Sequence, residues 1–393
     1  MSGWQNWSGR VSCPDARLER PEQEAALQEL IASLAPGQRL RPVGSGHSFV
    51  PFWMPRDRIV ALDAFAGLEC MGGPAGDVAV LGAGTPIHAI GPLLAAHGCS
   101  LANQGDIDRQ TLAGAVATGT HGTGRGLGSL SSMVARLTLI DGTGTRRDIE
   151  GGDALEAARV SLGLLGVMTR IGIRTVPLYG LHERNHVERV EDCLAAFEGR
   201  IEAHRHHEFW WVPSEDRCIA KTLDPIEVPT TPRLDDIPFG ADGERWGASW
   251  QVFPSDRDLR FNEMEFAVPA TAGPACFSAL REALLAHFPT LPWPIEYRIV
   301  AGDDGWLSPT AGLEVAAISV HQDARRDPLP LFELAEPILL DHGGRPHWGK
   351  MHSLDAERLA ALYPRLHEFA ALRRTFDPDE HLLGDWLRTL LPG

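Results

Sequence analysis

The chain has 393 residues, with 36 Lys and Arg against 52 Asp and Glu, so its formal net charge at pH 7 is −16. This acidity argues against a nucleic-acid binder, and no apolar run approaches the roughly 18 residues of a membrane span. Six isolated cysteines without a CxxC pair indicate reduced thiols in a cytoplasmic protein rather than a disulfide framework or a zinc site. Only two of the basic residues are lysines, Lys221 and Lys350.

The first half of the chain alternates predicted helices and strands. Apolar periodicity and helix-stop signals predict helices over residues 22–35, 86–97 and 154–162. Short β-like runs predict strands over residues 40–43, 59–62, 78–81, 135–140 and 166–176. A glycine-rich segment occupies residues 105–128, and Pro177 closes this α/β half.

The second half has a different texture, with proline-broken strands and fewer helices. Its pattern predicts helices over residues 190–203 and 275–287, and strands over residues 208–212, 248–252, 264–268, 295–300 and 316–321. The last forty residues read as helical again, with a helix over residues 356–375. These elements favour an α+β domain packed beside the first.

Two motif matches lack the context that their chemistry needs. HERNH at residues 182–186 fits the HExxH zinc pattern, which requires both histidines on one helix face. Pro177 and Gly180 precede it, and in a strand the two histidines would lie about 13 Å apart. GRPHWGK at residues 344–350 fits a P-loop, but Met351 stands where Ser or Thr would bind magnesium. The sequence contains neither a Rossmann GxGxxG nor a GxSxG nucleophile elbow.

Two glycine-rich segments carry the strongest chemical signal. They are PVGSGHSF at residues 42–49 and GDIDRQTLAGAVATGTHGTG at residues 105–124. Glycine lets backbone N–H groups approach an anion closely and turn through positive φ. The two segments could therefore hold the two phosphates of a dinucleotide, although either one alone fits a pair of β-turns equally well.

With three further motifs, these segments resemble the aldonolactone oxidase and alditol oxidase branch of the vanillyl-alcohol oxidase flavoproteins. The further motifs are LGLLGVMTRIGI at residues 162–173, EYRIVAGDDGWLSP at 296–309 and RPHWGKMH at 345–352, while WQNWSG at 4–9 and FDPDEHLL at 376–383 also fit. The resemblance implies an α+β protein with a PCMH-type FAD-binding domain of two α/β subdomains over residues 1–177. An α+β cap domain for the substrate would follow over residues 178–345. Residues 346–393 would complete the active site and return to the FAD domain.

The resemblance also assigns cofactor contacts. His47 would be the covalent attachment point to the flavin 8α-methyl; alternatively it is a turn histidine that donates a hydrogen bond. Gly105 would lie at the reactive flavin edge, where glycine leaves space for oxygen, and Asp106 follows it where many relatives have serine. The expected FAD-binding residues are Gly44, Ser45, Gly46, His47, Ser48, Gly105, Asp106, Thr118, Gly119, His121, Gly122, Thr123, Gly166 and Val167.

On the substrate side, Glu296 and Arg298 are two residues apart and would share one face of a strand. An arginine can stabilise a developing alkoxide and a carboxylate can bind hydroxyls, although an exposed ion pair also fits this spacing. Lys350, which would share a strand face with His352, can lose its proton when desolvated, whereas a guanidinium cannot. The resemblance makes Glu296, Arg298 and Lys350 the catalytic residues, and Glu263, His321 and His352 the substrate-binding residues.

The sequence therefore predicts an FAD-dependent oxidoreductase that oxidises a sugar-derived alcohol. Hydride would pass to flavin N5, the hydroxyl proton would be lost near Arg298 and Lys350, and the electrons would go to O2 or another acceptor. The favoured substrate is an aldono-1,4-lactone of the L-gulono-1,4-lactone type. The alternatives are an alditol such as xylitol or sorbitol, and a lactone dehydrogenase with a non-oxygen acceptor. Glu263 and Asp323 depart from the glutamine and threonine of alditol oxidases and leave the substrate open.

Two rival readings come from other functional classes. A carbohydrate-binding flavoprotein without turnover would not need Glu296, Arg298 and Lys350 together. A zinc hydrolase built on the HExxH pattern would bind metal and be colourless. No nucleic-acid or membrane partner is expected.

Overall fold

The computed structural model describes residues 4–51, 57–73, 76–255 and 259–392. Small sheets and short helices form the first half of the chain. Their bounds are β1 Trp4–Gln5, β2 Ser12–Cys13, β3 Arg17–Glu19, α1 Glu24–Ala32, β4 Leu40–Val43, β5 Arg58–Ala61, β6 Leu68–Gly72, β7 Val78–Gly82, α2 Ile87–Ala95, β8 Cys99–Ser100, α3 Leu112–Thr118, β9 Val134–Ile140, β10 Arg146–Ile149, α4 Gly152–Arg159, β11 Val167–Arg174 and β12 Val176–Pro177. Strands β3, β5 and β4 pair in parallel in that order, and β10-β9-β11-β7-β6 form a five-stranded antiparallel sheet.

One eight-stranded antiparallel sheet dominates the second half. Its strands and their helices are β13 Gly180–Arg189, α5 Val190–Ala203, β14 His206–Val212, β15 Arg217–Ile226, β16 Gly243–Ala248, α6 Ser249–Val252, β17 Phe261–Pro269, α7 Gly273–His287, β18 Ile295–Val300, β19 Val315–Asp323, α8 Leu329–Asp341 and β20 Arg345–Pro346. The strand order is β16-β13-β15-β14-β18-β19-β17-β20. All of its strands therefore come from residues 180–346.

The two faces of this sheet have opposite character. On one face Phe209 of β14 and Tyr297 of β18 stack at 5.0 Å between ring centroids and pack against Phe197 of α5 and Phe277 of α7. Alternate residues of the same strands point to the other face. The side chains on that face include Glu208 of β14 and Glu296 and Arg298 of β18. The helix-covered face is thus an apolar core, and the charged face is turned towards the first half of the chain.

The C-terminal residues return to the first half. Helices α9 Ala356–Leu362, α10 Leu366–Phe376 and α11 Asp385–Arg388 follow the large sheet. The Leu40 amide donates to the His381 carbonyl at 2.8 Å, and the Gly142 amide donates to the Phe376 carbonyl at 2.8 Å. Just before these helices, Phe49 donates to Gly349 at 2.8 Å, so residues near 350 lie beside the first glycine-rich segment.

Most predicted elements are confirmed within a few residues, and the differences have local causes. Residues 248–252 are not a strand, because β16 ends at Ala248 and α6 follows it directly. The predicted helix over 356–375 is two helices, because Pro364 forces the preceding Tyr363 into an extended conformation with ψ of 94°. Strands β13 and β15 and helices α3 and α8 were not predicted. Among the helices of the described residues, none is long and apolar enough to cross a bilayer.

Candidate active site

A cavity with about 920 Å³ of empty space, which includes open solvent, separates the two glycine-rich segments. The first segment forms one wall, α3 and the residues around it form another, and the turn leading into β11 forms a third. Predicted cofactor residues that line this cavity are Gly44, Ser45, Gly46, His47, Ser48, Thr118 and Gly166. The structure thus brings together segments that are about sixty residues apart in sequence.

Helix α3 and the first glycine-rich segment pack closely because Gly44 has no side chain. The Thr111 hydroxyl caps α3 by accepting a hydrogen bond from the Gly114 amide at 3.4 Å. A Cβ built on Gly44 would lie 2.1 Å from that same hydroxyl oxygen. Only glycine at position 44 allows the loop to approach the capped end of α3 so closely.

Arg41, which the sequence did not single out, holds the wall of the cavity in place. Its guanidinium is 1% exposed and donates to the Gly163 carbonyl at 3.3 Å, to the Leu382 carbonyl at 2.6 Å and to the Leu162 carbonyl. Burial lowers the pKa of Arg41 to about 10, although Asp377 opposes the shift. The buried cation therefore ties β4, the turn before β11 and the C-terminal residues together.

The geometry of His47 fits a group that reacts with, or binds beside, the cofactor. Its ring stacks on Trp7 at 5.4 Å between centroids, and its Nδ1 has no hydrogen-bond partner within the described residues. Burial, with a smaller contribution from Lys350, lowers the pKa of His47 to about 4. The imidazole is therefore neutral at pH 7, and it lines a cavity rich in glycine. The residues present fit FAD.

A second cavity, of about 520 Å³, adjoins the first and has a strongly polar lining. Gln110, Thr120, His347 and Lys350 line both cavities, so the two are neighbours. The charged residues around the second cavity are Asp106, Glu263, Glu265, Glu296, Arg298 and Lys350. Many acceptors and two cations in a small space suit a substrate that is rich in hydroxyl groups.

Arg298 and Glu296 lie on β18, the strand that their spacing predicted them to share, and form the centre of a buried charge network. Arg298 Nη2 lies 3.1 Å from Glu296 Oε2 and 2.8 Å from Glu265 Oε2, while Arg298 Nε has no partner within the described residues. The Trp210 indole donates to Glu296 at 3.0 Å. The guanidinium is therefore fixed from two sides and keeps one uncommitted donor.

Glu265 is a junction that the sequence reading missed. It accepts hydrogen bonds from Arg298 and from the Ser319 hydroxyl at 2.7 Å, and it lies 3.0 Å from His121 Nε2. Burial raises the pKa of Glu265, but His121 and Arg298 outweigh it and hold the pKa well below the usual range. Glu265 alternates with Glu263 along β17, so the strand pattern could have revealed it.

Lys350 lies at the boundary of the two cavities. Its ammonium forms an ion pair with Glu263 and lies 5.2 Å from the centroid of the Phe49 ring. Glu263 Oε1 is also 3.7 Å from Nε2 of His321, whose Nδ1 bonds the Pro294 carbonyl at 2.8 Å. A carboxylate partner stabilises the charged ammonium. In this arrangement Lys350 pairs with Glu263 and offers its remaining hydrogen-bond donors where the two cavities meet.

Several predicted residues lie outside both cavities. Gly119 ends α3 with φ of 79°, Gly122 packs against the Gln104 carbonyl, and the Thr123 hydroxyl donates to the His207 carbonyl at 2.7 Å. Neither these three nor Val167 is among the residues that line the cofactor cavity. Their contribution within the described residues is to shape the backbone behind it.

His352 does not share a strand with Lys350, which corrects the prediction. Residues 350–352 are irregular, and the His352 ring packs 6.0 Å from Trp386 at a separate surface pocket. The alternation that places two residues on one face requires a strand, which residues 350–352 do not form.

Gly105 and Asp106 line the second cavity rather than the first.

The HExxH histidines lie in β13, an extended strand, and each has its own acidic neighbour. His182 Nε2 is 2.9 Å from Glu244, and His186 Nδ1 is 3.4 Å from Asp242. Their side chains thus take part in two separate surface pairs. This is the arrangement expected of a chance match rather than of zinc ligands.

The sequence matches two family models. The D-arabinono-1,4-lactone oxidase model matches residues 171–238 and 239–390, and an FAD binding domain model matches residues 16–150. An L-gulono-1,4-lactone dehydrogenase of Mycobacterium tuberculosis is 33% identical over 99% of each chain, and an alditol oxidase of a Streptomyces species is 28% identical over 99% of each. The cholesterol oxidase of Brevibacterium sterolicum superposes with a TM-score of 0.87 over 100% of this chain and 97% of its own, at 19% identity.

Proposed function

The chain belongs to the D-arabinono-1,4-lactone oxidase family, and from this we propose that it oxidises an aldono-1,4-lactone of the L-gulono-1,4-lactone type. It is an FAD-dependent oxidoreductase. The observation that carries the substrate proposal is the second cavity, where Glu296, Arg298 and Lys350 surround a space that opens onto the cofactor cavity. Bound FAD supplies the two-electron acceptor for the substrate C–H hydride.

The chain's own residues bind the substrate and handle its proton. Arg298 is held by Glu265 and Glu296 and lines the cavity, where its guanidinium stabilises alkoxide character on a substrate oxygen. Lys350 donates to the same region from the cofactor side. The hydroxyl proton leaves towards the carboxylates that face these two cations, Glu263 and Glu296.

Aldonolactones are favoured over alditols by the family match, and the 28% identity with an alditol oxidase keeps alditols as the second candidate. Among acceptors, Gly105 next to the substrate cavity favours O2, because glycine leaves space that a side chain would fill. The 33% identity with a dehydrogenase favours a different acceptor. We propose O2 as the acceptor, with a non-oxygen acceptor as the alternative. All six cysteines are free thiols, which agrees with a cytoplasmic location.

The colour of the purified protein tests the cofactor. Protein from flavin-replete cells should be yellow, and the yellow should stay in an acid-precipitated pellet because His47 carries the flavin covalently. A colourless preparation would contradict the proposed function. Yellow that washes out of the pellet would remove only the His47 linkage, and His47→Ala provides the matched non-covalent control.

Anaerobic bleaching of the yellow absorbance tests the substrate and the acceptor. L-Gulono-1,4-lactone should bleach the protein faster than xylitol does, and air should restore the colour within the turnover time. Faster bleaching by xylitol would transfer the proposal to alditols. Colour that returns only with an added dye or quinone would exclude O2 as the acceptor.

A further inference from the structure

Lys221, the second lysine of the chain, is buried behind the substrate cavity. Its side chain is 3% exposed, and its ammonium lies 3.3 Å from Asp106 Oδ1 and 3.1 Å from Glu208 Oε1. The ammonium also lies 5.1 Å from the centroid of the Trp210 ring. Asp106 lines the substrate cavity, whereas Lys221 does not. Of the two carboxylates paired with Lys221, Asp106 is the one that lines the cavity.

The register of the large sheet explains why a cation stands at this position. Lys221 of β15 is directly opposite Glu208 of β14, which is directly opposite Arg298 of β18. Charges of alternating sign thus cross three neighbouring strands, and directly opposite side chains on one face interact. Glu208 connects the cation behind Asp106 to the guanidinium at the centre of the site.

Three carboxylates meet at this position, and they need a counter-charge. Oxygen atoms of Asp106, Glu208 and Glu296 lie within 4.8 Å of one another. Buried like charges at such distances drive protonation of one group unless cations stand between them. Lys221 and Arg298 supply such cations beside the cluster.

We propose that Lys221 is a positioning residue that orients the Asp106 carboxylate for a hydroxyl group of the substrate. A carboxylate only accepts hydrogen bonds, so the substrate must present an O–H group at this point of the cavity. Asp106 thereby becomes a third residue, after Arg298 and Lys350, that binds the polyhydroxy substrate. This inference rests on the proposed function.

A lysine suits this role better than an arginine. Its ammonium is a compact point charge with three rotatable donors, and it fits between two carboxylates beneath an indole ring. A planar guanidinium would need more volume at a site that is closed on all sides. The chain uses arginine at 34 of its 36 basic positions, so lysine at position 221 is the exception that this packing requires.

A double-mutant cycle tests the inference. Lys221→Met and Asp106→Asn should each raise KM for the lactone by about tenfold, the scale of one hydrogen bond to a charged group, with a smaller change in kcat. The double variant should have the same KM as Asp106→Asn alone, because Lys221 acts through that carboxylate. An unchanged KM in Lys221→Met, or KM effects that multiply in the double variant, would overturn the inference.

The pH profile separates positioning from a purely structural role. Glu208 is faced by Lys221, Asp106, Glu296 and Arg298, while Glu183 and Arg245 lie near Lys221. Burial raises the pKa of Glu208 to about 7, and Lys221 opposes the rise. Loss of the cation should therefore move the acidic limb of the kcat/KM profile to higher pH. A profile that does not move in Lys221→Met contradicts the inference.

Three controls keep the result interpretable. Arg281→Met removes an ion pair with Asp216 on the helix-covered face of the same domain and should leave KM unchanged. If Lys221→Met fails to fold, the Lys221→Met/Glu208→Gln variant replaces the buried pair by neutral groups and should show the same rise in KM. In a folded protein with normal FAD content, a wild-type KM for this pair would reject the inference. Failure of the proposed function can be distinguished from failure of this inference, because no lactone would then bleach the wild-type protein.

Discussion

At the residue scale, both lysines of this arginine-rich chain have ammonium groups paired with carboxylates of the substrate site. Lys350 pairs with Glu263 at the boundary of the two cavities, and Lys221 pairs with Asp106 behind the second cavity. Arginine, which carries nearly all other positive charges, cannot imitate a compact ammonium at these positions. Both lysines of the chain therefore lie at the proposed substrate site.

Replacing Lys350 by methionine tests its catalytic role. Lys350→Met should remain yellow, because its cofactor contact is one among many, but anaerobic bleaching by the lactone should slow by about 100-fold or more. The variant removes a donor to the substrate and leaves Glu263 buried without its cation. Stopped-flow absorbance of the flavin band measures the rate.

Lys350→Arg, which keeps the charge, is the matched control and should recover part of that rate. Unchanged bleaching in Lys350→Met would remove Lys350 from the mechanism. Loss of colour in both variants would instead assign Lys350 a role in holding the cofactor.

Local sequence pattern predicted which residues share a strand face, and the family resemblance assigned their roles. A spacing of two placed Glu296 and Arg298 on one face, and the same rule could have found Glu265 beside Glu263. The link from Lys221 to Glu208 could not be predicted, because it depends on the register between two strands that turns and packing set.

At the element scale, the short helix α3 and the loop at residues 42–49 form one unit around the cofactor cavity. Gly44→Ala should abolish stable FAD retention, since its Cβ would lie 2.1 Å from the Thr111 hydroxyl that caps α3. The protein should therefore purify colourless or with weakly held flavin. Absorbance per protein after gel filtration measures the occupancy.

Gly199→Ala is the matched control for this substitution. Gly199 lies in α5 with no heavy atom within 4 Å of a Cβ built on it, and alanine favours a helix. This variant should keep full flavin content. Equal flavin content in Gly44→Ala would show that the loop can withdraw from α3 without cost.

Strand β13 and helices α3 and α8 were not predicted because their sequences lack a clear apolar periodicity or contain proline or glycine. Strand β13 has the sequence GLHERNHVER, in which polar residues occupy most positions, so no apolar alternation marks it. Helix α8 contains Pro337, and α3 lies within a glycine-rich segment that reads as loop. In each case tertiary packing, not local propensity, decides the structure.

At the scale of the whole molecule, the site is assembled from distant parts of the chain. The first glycine-rich segment, the second one, the charged face of the large sheet and the residues near 350 meet at the two adjoining cavities. Order of motifs along the chain predicted which segments take part. The distances between these segments, and the cluster of Asp106, Glu208 and Glu296, depend on how the two halves of the chain pack together and could not be predicted from the sequence.

Buried histidines give the molecule a defined response to acid. Burial lowers the pKa of five histidines, to about 3 for His206 and to about 4 for the others. The five are His47, His206, His207, His347 and His352. In the unfolded chain the four that are not proposed to carry the flavin, all but His47, would each take up a proton near pH 6.5. Between about pH 6.5 and 4 the unfolded state therefore binds more protons than the folded state.

Because the unfolded state binds the extra protons, the free energy of unfolding should fall as pH decreases through this window, by up to about 1.4 kcal/mol per pH unit for each group. Glu208 and Asp377, whose pKa values burial raises, act in the opposite direction but are fewer. Thermal melts at pH 7 and pH 5 should therefore differ, with the lower melting temperature at pH 5. His352→Phe, which keeps an aromatic ring against Trp386, should reduce this pH dependence by about a quarter. A melting temperature that stays constant or rises on acidification would show that these histidines are protonated in the folded protein.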